Sequence, residues 1–152
     1  MGHQASNPVQ PLDGSNLAAV IELLAMNSLL NVDLNAQHLA NFVGITTDDT
    51  LIAIGGLEVY ERTALLRSLA THPDFRDRGL ARMIVVELER LACRKRIEAI
   101  YLLTDTAEKY FENQGYRRSS RSGAPWEIAS TAQFSELCSD TATLMVKNFG
   151  ER

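Results

Sequence analysis

A chain of 152 residues is long enough for one domain and leaves little room for a second. Hydrophobic residues make up 45% and charged residues 22%, an ordinary globular usage that excludes wholesale disorder. The 15 lysines and arginines stand against 19 acidic residues, and the net charge of −4 disfavours a protein that wraps nucleic acid. No apolar run approaches the length of a membrane span, and no secretory leader pattern opens the chain. The opening Met1–Ser6 fits a loose N-myristoylation pattern, but an ordinary polar N-terminus explains it better. The two cysteines, Cys93 and Cys138, form no CxxC pair and suggest neither a disulfide scaffold nor a metal site, so a reducing cytoplasm is the expected setting.

In chain order, residues 1–8 are expected to be poorly ordered. Ser15–Asn27 carries apolar residues three and four apart, which predicts a helix with Asp13 or Ser15 as its cap. A helical turn is expected at Ala36–Ala40. Strands follow at Phe42–Thr46, Leu51–Tyr60 and Ala64–Thr71, joined by connections short enough for an antiparallel meander. Gly55-Gly56 inside the second strand predicts a bulge or a close backbone approach. After His72-Pro73 and a loop comes an amphipathic helix with Leu80, Ile84, Leu88 and Leu91 on one stripe. Ala99–Thr104 is the next strand, so strand, helix and strand form a right-handed βαβ unit with its two strands parallel or nearly so. A short helix over Thr106–Gln114, stopped by Gly115, a strand starting at Tyr116-Arg117, a helix over Thr131–Cys138 and a strand over Thr143–Phe149 complete the reading.

The junction Arg76-Asp77-Arg78-Gly79-Leu80-Ala81 carries the chemistry. A glycine between strand and helix lets a ligand approach the backbone, and the first helix amides lack internal acceptors, an arrangement suited to a phosphate or diphosphate. Arg76 and Arg78 add charged donors. Neither GxxxxGK[ST] nor GxGxxG is present, so a nucleoside triphosphatase and a dinucleotide enzyme are unsupported.

From about Leu51 to Arg117 the sequence resembles the GNAT superfamily of acetyl-CoA-dependent N-acetyltransferases, with Arg76-x-x-Gly79-x-Ala81 similar to its pyrophosphate signature. The resemblance implies one α/β (α+β type) GNAT domain over 1–152, a mixed and mostly antiparallel sheet with helices on both faces. It implies that Leu69, Ala70 and Thr71 pair their backbone with the pantetheine arm, and that the amides from Asp77 through Gly79, Leu80 and Ala81 to Arg82 hold the diphosphate. It also implies that the strand after the signature helix splays away, leaving a cleft for the thioester. Leu65–Ala70, Tyr101–Thr104 and Ala124-Pro125 through Phe134–Cys138 resemble more narrowly the GNAT group named for arsenic resistance. The middle of the chain is also similar to the transferase domain of N-acetylglutamate synthase. Homodimerisation is expected from the family resemblance alone.

Direct attack of an amine on a thioester needs a neutral amine, a donor for the oxyanion and a proton for the departing thiolate. The position where many GNATs carry an acidic tyrosine is Phe111 here. Tyr110, about 100° around the helix, is the nearest substitute, with water as the other proton source and a packed surface aromatic as the other reading. Glu58 could accept the amine proton, or could be a solvent-facing strand residue paired with a cation. Arg67 alternates with Leu65 and Leu69; if that face lines the cleft, its guanidinium suits an acceptor carboxylate, arsonate or phosphinate. Thr104 ends a strand, where it could touch substrate or cap the following helix. His72 reads as a turn residue, Cys138 as a buried thiol, and Trp126 as a cleft wall or dimer contact.

The expected function is acetyl transfer from acetyl-CoA to a primary amine of a small, anionic, amino-acid-like or arsenic- or phosphorus-containing molecule, in a ternary complex and without a metal. The alternatives are a peptide or protein N-acetyltransferase and a non-catalytic acyl-CoA-sensing module. No nucleic-acid or membrane partner is expected.

Overall fold

The computed structural model describes residues 8–29, 33–134 and 141–150. Seven strands, β1 (Val9–Pro11), β2 (Phe42–Thr47), β3 (Thr50–Val59), β4 (Thr63–Thr71), β5 (Ala99–Thr104), β6 (Arg117–Ser119) and β7 (Thr143–Asn148), form a sheet in the order β1-β2-β3-β4-β5-β7-β6. The helices are α1 (Leu17–Met26), α2 (Leu80–Arg94), α3 (Glu108–Glu112) and α4 (Trp126–Ala129). No helix among the described residues is long and apolar enough to cross a membrane. Contacts gather the chain into two compact units, Met1–Gly56 with Ser68–Glu89 and Leu57–Arg67 with Arg90–Arg152, so the division cuts β3, β4 and α2.

In the first unit, Asp13 accepts from the Ser15 amide and Asn16 accepts from the Asp13 amide at 2.9 Å each, a reciprocal cap ahead of α1. The helix ends where Ser28 takes a left-handed backbone (φ 56°), with Ser28 N–H donating to Ala25 O at 3.1 Å and Leu29 N–H to Leu24 O at 3.0 Å. That bonding is a Schellman closure, which normally recruits glycine. The β2–β3 hairpin turns through Asp48 and Asp49, both at positive φ, with Thr47 opposite Thr50. Positions 52–57 of β3 are all buried, as the continuous apolar run requires of a strand covered on both sides. On one face Ile54 joins Phe42, Ala70 and the α1 residues Val20, Leu23 and Leu24 in a single cluster. On the other, a Cβ at Gly55 would come within 2.6 Å of Ile84 and 3.2 Å of Leu88 on α2. The expected glycine pair is thus a close approach: a Cβ at Gly56 would meet the Phe42 ring at 2.1 Å.

In the second unit β5 pairs antiparallel with β7 along its whole length, Ala99↔Asn148 to Thr104↔Thr143. Its other register, parallel to β4, holds three pairs among the described residues, Thr63↔Ala99, Ala64↔Ile100 and Leu65↔Tyr101. The expected βαβ relation is therefore present but short. β6 takes the edge, with Arg117↔Val146 to Ser119↔Leu144. Gly115, at φ 97°, closes the α3 turn.

The elements β1 and α4 were not expected from sequence. β1 is three residues between prolines and exists through its register with β2, Val9↔Ile45 to Pro11↔Val43. The second half of the expected helix over Thr131–Cys138, Cys138 included, lies outside the described residues, as do residues 1–7.

Candidate functional site

The loop from β4 to α2 is braced at each end. Pro73 opens a 3-10 turn (Pro73–Phe75), and His72 Nδ1 accepts from the Asp74 amide at 3.1 Å, so His72 is the turn residue expected. The His72 and Phe75 rings meet edge to face at 5.5 Å, and the Arg78 guanidinium lies 5.1 Å over Phe75. Arg76 Nη2 donates to Asn27 Oδ1 at 2.7 Å. Asp77 (φ 63°) and Gly79 (φ 78°) both adopt left-handed backbone, which curls the chain sharply into α2. Met83 N–H donates to Gly79 O at 3.2 Å; the amides of Leu80, Ala81 and Arg82 precede it and have no acceptor within the helix. A Cβ at Gly79 would meet nothing within 4 Å. Free amides, a concave left-handed turn and open space over the glycine fit an anionic group such as a diphosphate.

Upstream, Ser68 also has positive φ (58°), an uncommon conformation for a residue inside a strand. The break corrects the expected alternation. Leu69 packs over Gly55 on the α2 side. Arg67 reaches Glu58, three residues from Gly55 and so on the opposite side of β3. Arg67 and Leu69 therefore do not share a face, because Ser68 inserts a bulge between them. Ala70 is buried and Leu69 and Thr71 are half-buried.

In the second unit, Arg67 Nη1 donates to Glu58 Oε2 at 2.7 Å, with side-chain exposures of 1% and 11%. The other carboxylate oxygen, Oε1, accepts from the Tyr60 hydroxyl at 2.9 Å. Glu58 is thus paired with a cation, as one of its two sequence readings has it, but inward rather than facing solvent. Each of its oxygens accepts one donor. Burial, and then the hydrogen bond to Glu58, push the Tyr60 phenol well above its ordinary value of 10.0. Burial also raises Tyr101. Glu127 at the start of α4 accepts from the Thr63 hydroxyl at 3.0 Å.

Of the remaining candidates, Thr104 Oγ1 accepts from the Ala107 amide at 2.9 Å, the capping arrangement rather than a free hydroxyl. Phe111 is buried, while Tyr110 is 37% exposed and its ring packs edge to face on that of Phe111 at 5.2 Å, the packed surface aromatic of the other reading. Trp126 is 80% exposed. The sequence reading missed Tyr60 and Asn27. Tyr60 had a signal, since it lies two residues from Glu58 and shares its strand face. Asn27 had none, being 49 residues from Arg76.

The profile described as "Acetyltransferase (GNAT) domain" matches residues 38–118, just over half of the chain and the stretch that holds the loop. The chain belongs to the GNAT acetyltransferase family. Among curated proteins, amino-acid acetyltransferase of Actinobacillus pleuropneumoniae serotype 5b is 28% identical over 93 residues, 60% of this chain and 21% of that protein. The amino-acid acetyltransferase of Photobacterium profundum is 29% identical over 85 residues, 55% of this chain and 19% of that one. The chain spans about a fifth of the length of these relatives. Among solved structures, N-acetylglutamate synthase from Neisseria gonorrhoeae, complexed with coenzyme A and N-acetyl-glutamate, superposes with a TM-score of 0.82 at 13% identity, over 98% of this chain and 36% of that one. Rv2747 from Mycobacterium tuberculosis, in complex with CoA and NLQ, gives 0.78 at 16% identity, over 93% and 99%. At such identities the likeness establishes the fold. This GNAT fold is the mixed sheet with helices that the sequence implied.

Proposed function

We propose that this GNAT chain transfers acetyl from acetyl-CoA to the primary amine of a small, amino-acid-like molecule. The observation that carries the reading is the turn at Asp77–Gly79, left-handed twice, with three helix amides lacking acceptors and no atom over the glycine. These residues fit the coenzyme's diphosphate, and the backbone of Leu69–Thr71 is assigned to its pantetheine arm. The amine nitrogen attacks the thioester carbonyl, a C–N bond forms, the C–S bond breaks, and the amine's proton balances the released thiol. Glu58 is assigned to holding Arg67, whose Nη1 donates to it at 2.7 Å.

The amino-acid class is supported by relatives named amino-acid acetyltransferases. The finer reading, an arsenic- or phosphorus-containing amino-acid analogue, rests on the narrower sequence resemblance; homodimerisation rests on the general family resemblance, and a cytoplasmic site on the cysteine usage.

The test is thiol release from acetyl-CoA with amino acids, their phosphinate and arsonate analogues, and peptides as acceptors. Turnover on the free amino acids or analogues is expected, with peptides inert. Turnover on peptides alone would replace this reading. Coenzyme A binding with no thiol release from any acceptor would favour the acyl-CoA sensor.

A further inference from the structure

One polar contact ties the β4–α2 loop to a distant helix. At the C-terminus of α1 the Asn27 side chain is held in both directions. Its amide nitrogen donates to Leu23 O at 2.9 Å, and its oxygen accepts from Arg76 Nη2 at 2.7 Å. The first bond fixes which way the amide points, so the oxygen is presented outward to Arg76. Arg76 itself is extended (φ −69°, ψ 163°) and immediately precedes Asp77 and Gly79, the two left-handed residues of the loop. Anchoring its guanidinium therefore fixes the direction in which the chain enters that turn. A loop held in its bound form before the ligand arrives avoids an ordering cost on binding. The chemistry of the partner matters too. A carboxylate at position 27 would cancel the arginine's charge, whereas an amide oxygen orients the guanidinium and leaves its positive field intact.

We propose that Asn27 is a positioning residue for the coenzyme's diphosphate, holding Arg76 at the entry to the Asp77–Gly79 turn without neutralising it. The inference rests on the coenzyme reading above. It adds that a residue on α1, outside the signature, sets the affinity of the signature loop. It also revises the role of Arg76, whose anchored guanidinium shapes the loop as well as contributing charge.

Calorimetry with coenzyme A and with S-acetylpantetheine, which lacks the diphosphate, tests it on the wild-type chain and on N27A, R76A, N27A/R76A and A25G. Loss of one charge-assisted hydrogen bond at a surface position predicts about a fivefold rise in the coenzyme A Kd for N27A. The double variant should be no weaker than R76A alone, since the two side chains act as a unit. S-acetylpantetheine should bind N27A and the wild type alike. A25G controls for helix stability: Ala25 is exposed on α1, and glycine there weakens the helix without touching Arg76. It should leave coenzyme A affinity unchanged. A coenzyme A Kd for N27A within twofold of wild type, an equal loss in A25G, additive losses in the double variant, or an equal loss of S-acetylpantetheine binding would each overturn the proposal. A wild-type chain that binds no coenzyme A would instead bring down the coenzyme reading, and the role of Asn27 with it.

Discussion

At the scale of single residues, the Tyr60–Glu58–Arg67 chain is the most consequential arrangement in the second unit. Its arginine is nearly sealed from solvent, so its charge is matched locally or not at all. The Tyr60 phenol, raised above 10.0 by burial and by Glu58, keeps its proton in the folded chain at a pH where the unfolded chain has released it. The folded state therefore holds more protons, and stability must fall as pH rises past about 10. Y60F has no such proton to lose. Its thermal unfolding temperature, followed from pH 8 to 11, should start lower, by about 1 kcal/mol in stability for the hydrogen bond lost at Glu58, and then decline less steeply than that of the wild type. Parallel declines would show that Tyr60 does not titrate in this way. Part of this chain was readable in advance: Glu58 and Arg67 stand out as charges in apolar strands. Their mutual pairing was not, because it depends on the bulge at Ser68, and nothing in a serine announces a left-handed backbone.

At the scale of elements, the long periodic segments were legible and the short ones were not. The α2 stripe buries Ile84 and Leu88 completely, as its spacing requires, and β3 reads as a two-sided buried strand from its apolar run. By contrast β1 and α4 have three and four residues, too few for periodicity to register, and owe their existence to neighbours in space. The α1 terminus is a different case: the closure is regular but the residue is not the favoured one. Ser28 sits where glycine suffers no steric penalty. S28G should stabilise the chain by about 0.5–1 kcal/mol, read from the urea midpoint at constant m-value. A decrease would mean that the serine side chain contributes more than its backbone strain removes.

At the scale of the molecule, ligand and fold are linked by mass action. Coenzyme A at a hundred times its Kd should raise stability by about 2.7 kcal/mol, visible as an increase in the thermal unfolding temperature. G79V should abolish that increase. Valine at φ 78° is strained by about 1–2 kcal/mol, so the apo variant should melt lower yet still cooperatively. Its side chain would occupy the space over the turn that is open in the native chain. A G79V protein that coenzyme A still stabilises fully would place the coenzyme elsewhere.

The paired glycines at the centre of β3 carry one more implication, for how the chain finds its alignment. Gly55 and Gly56 are tight on opposite sides, against α2 and against Phe42. If β3 slid by a single position, either Ile54 would arrive at the site closed by α2 or Leu57 at the site closed by Phe42, and each misaligned sheet would collide with one of its coverings. The two smallest residues of the strand thus act as a steric proofreader, rejecting shifted pairings before the flanking helices can close over them.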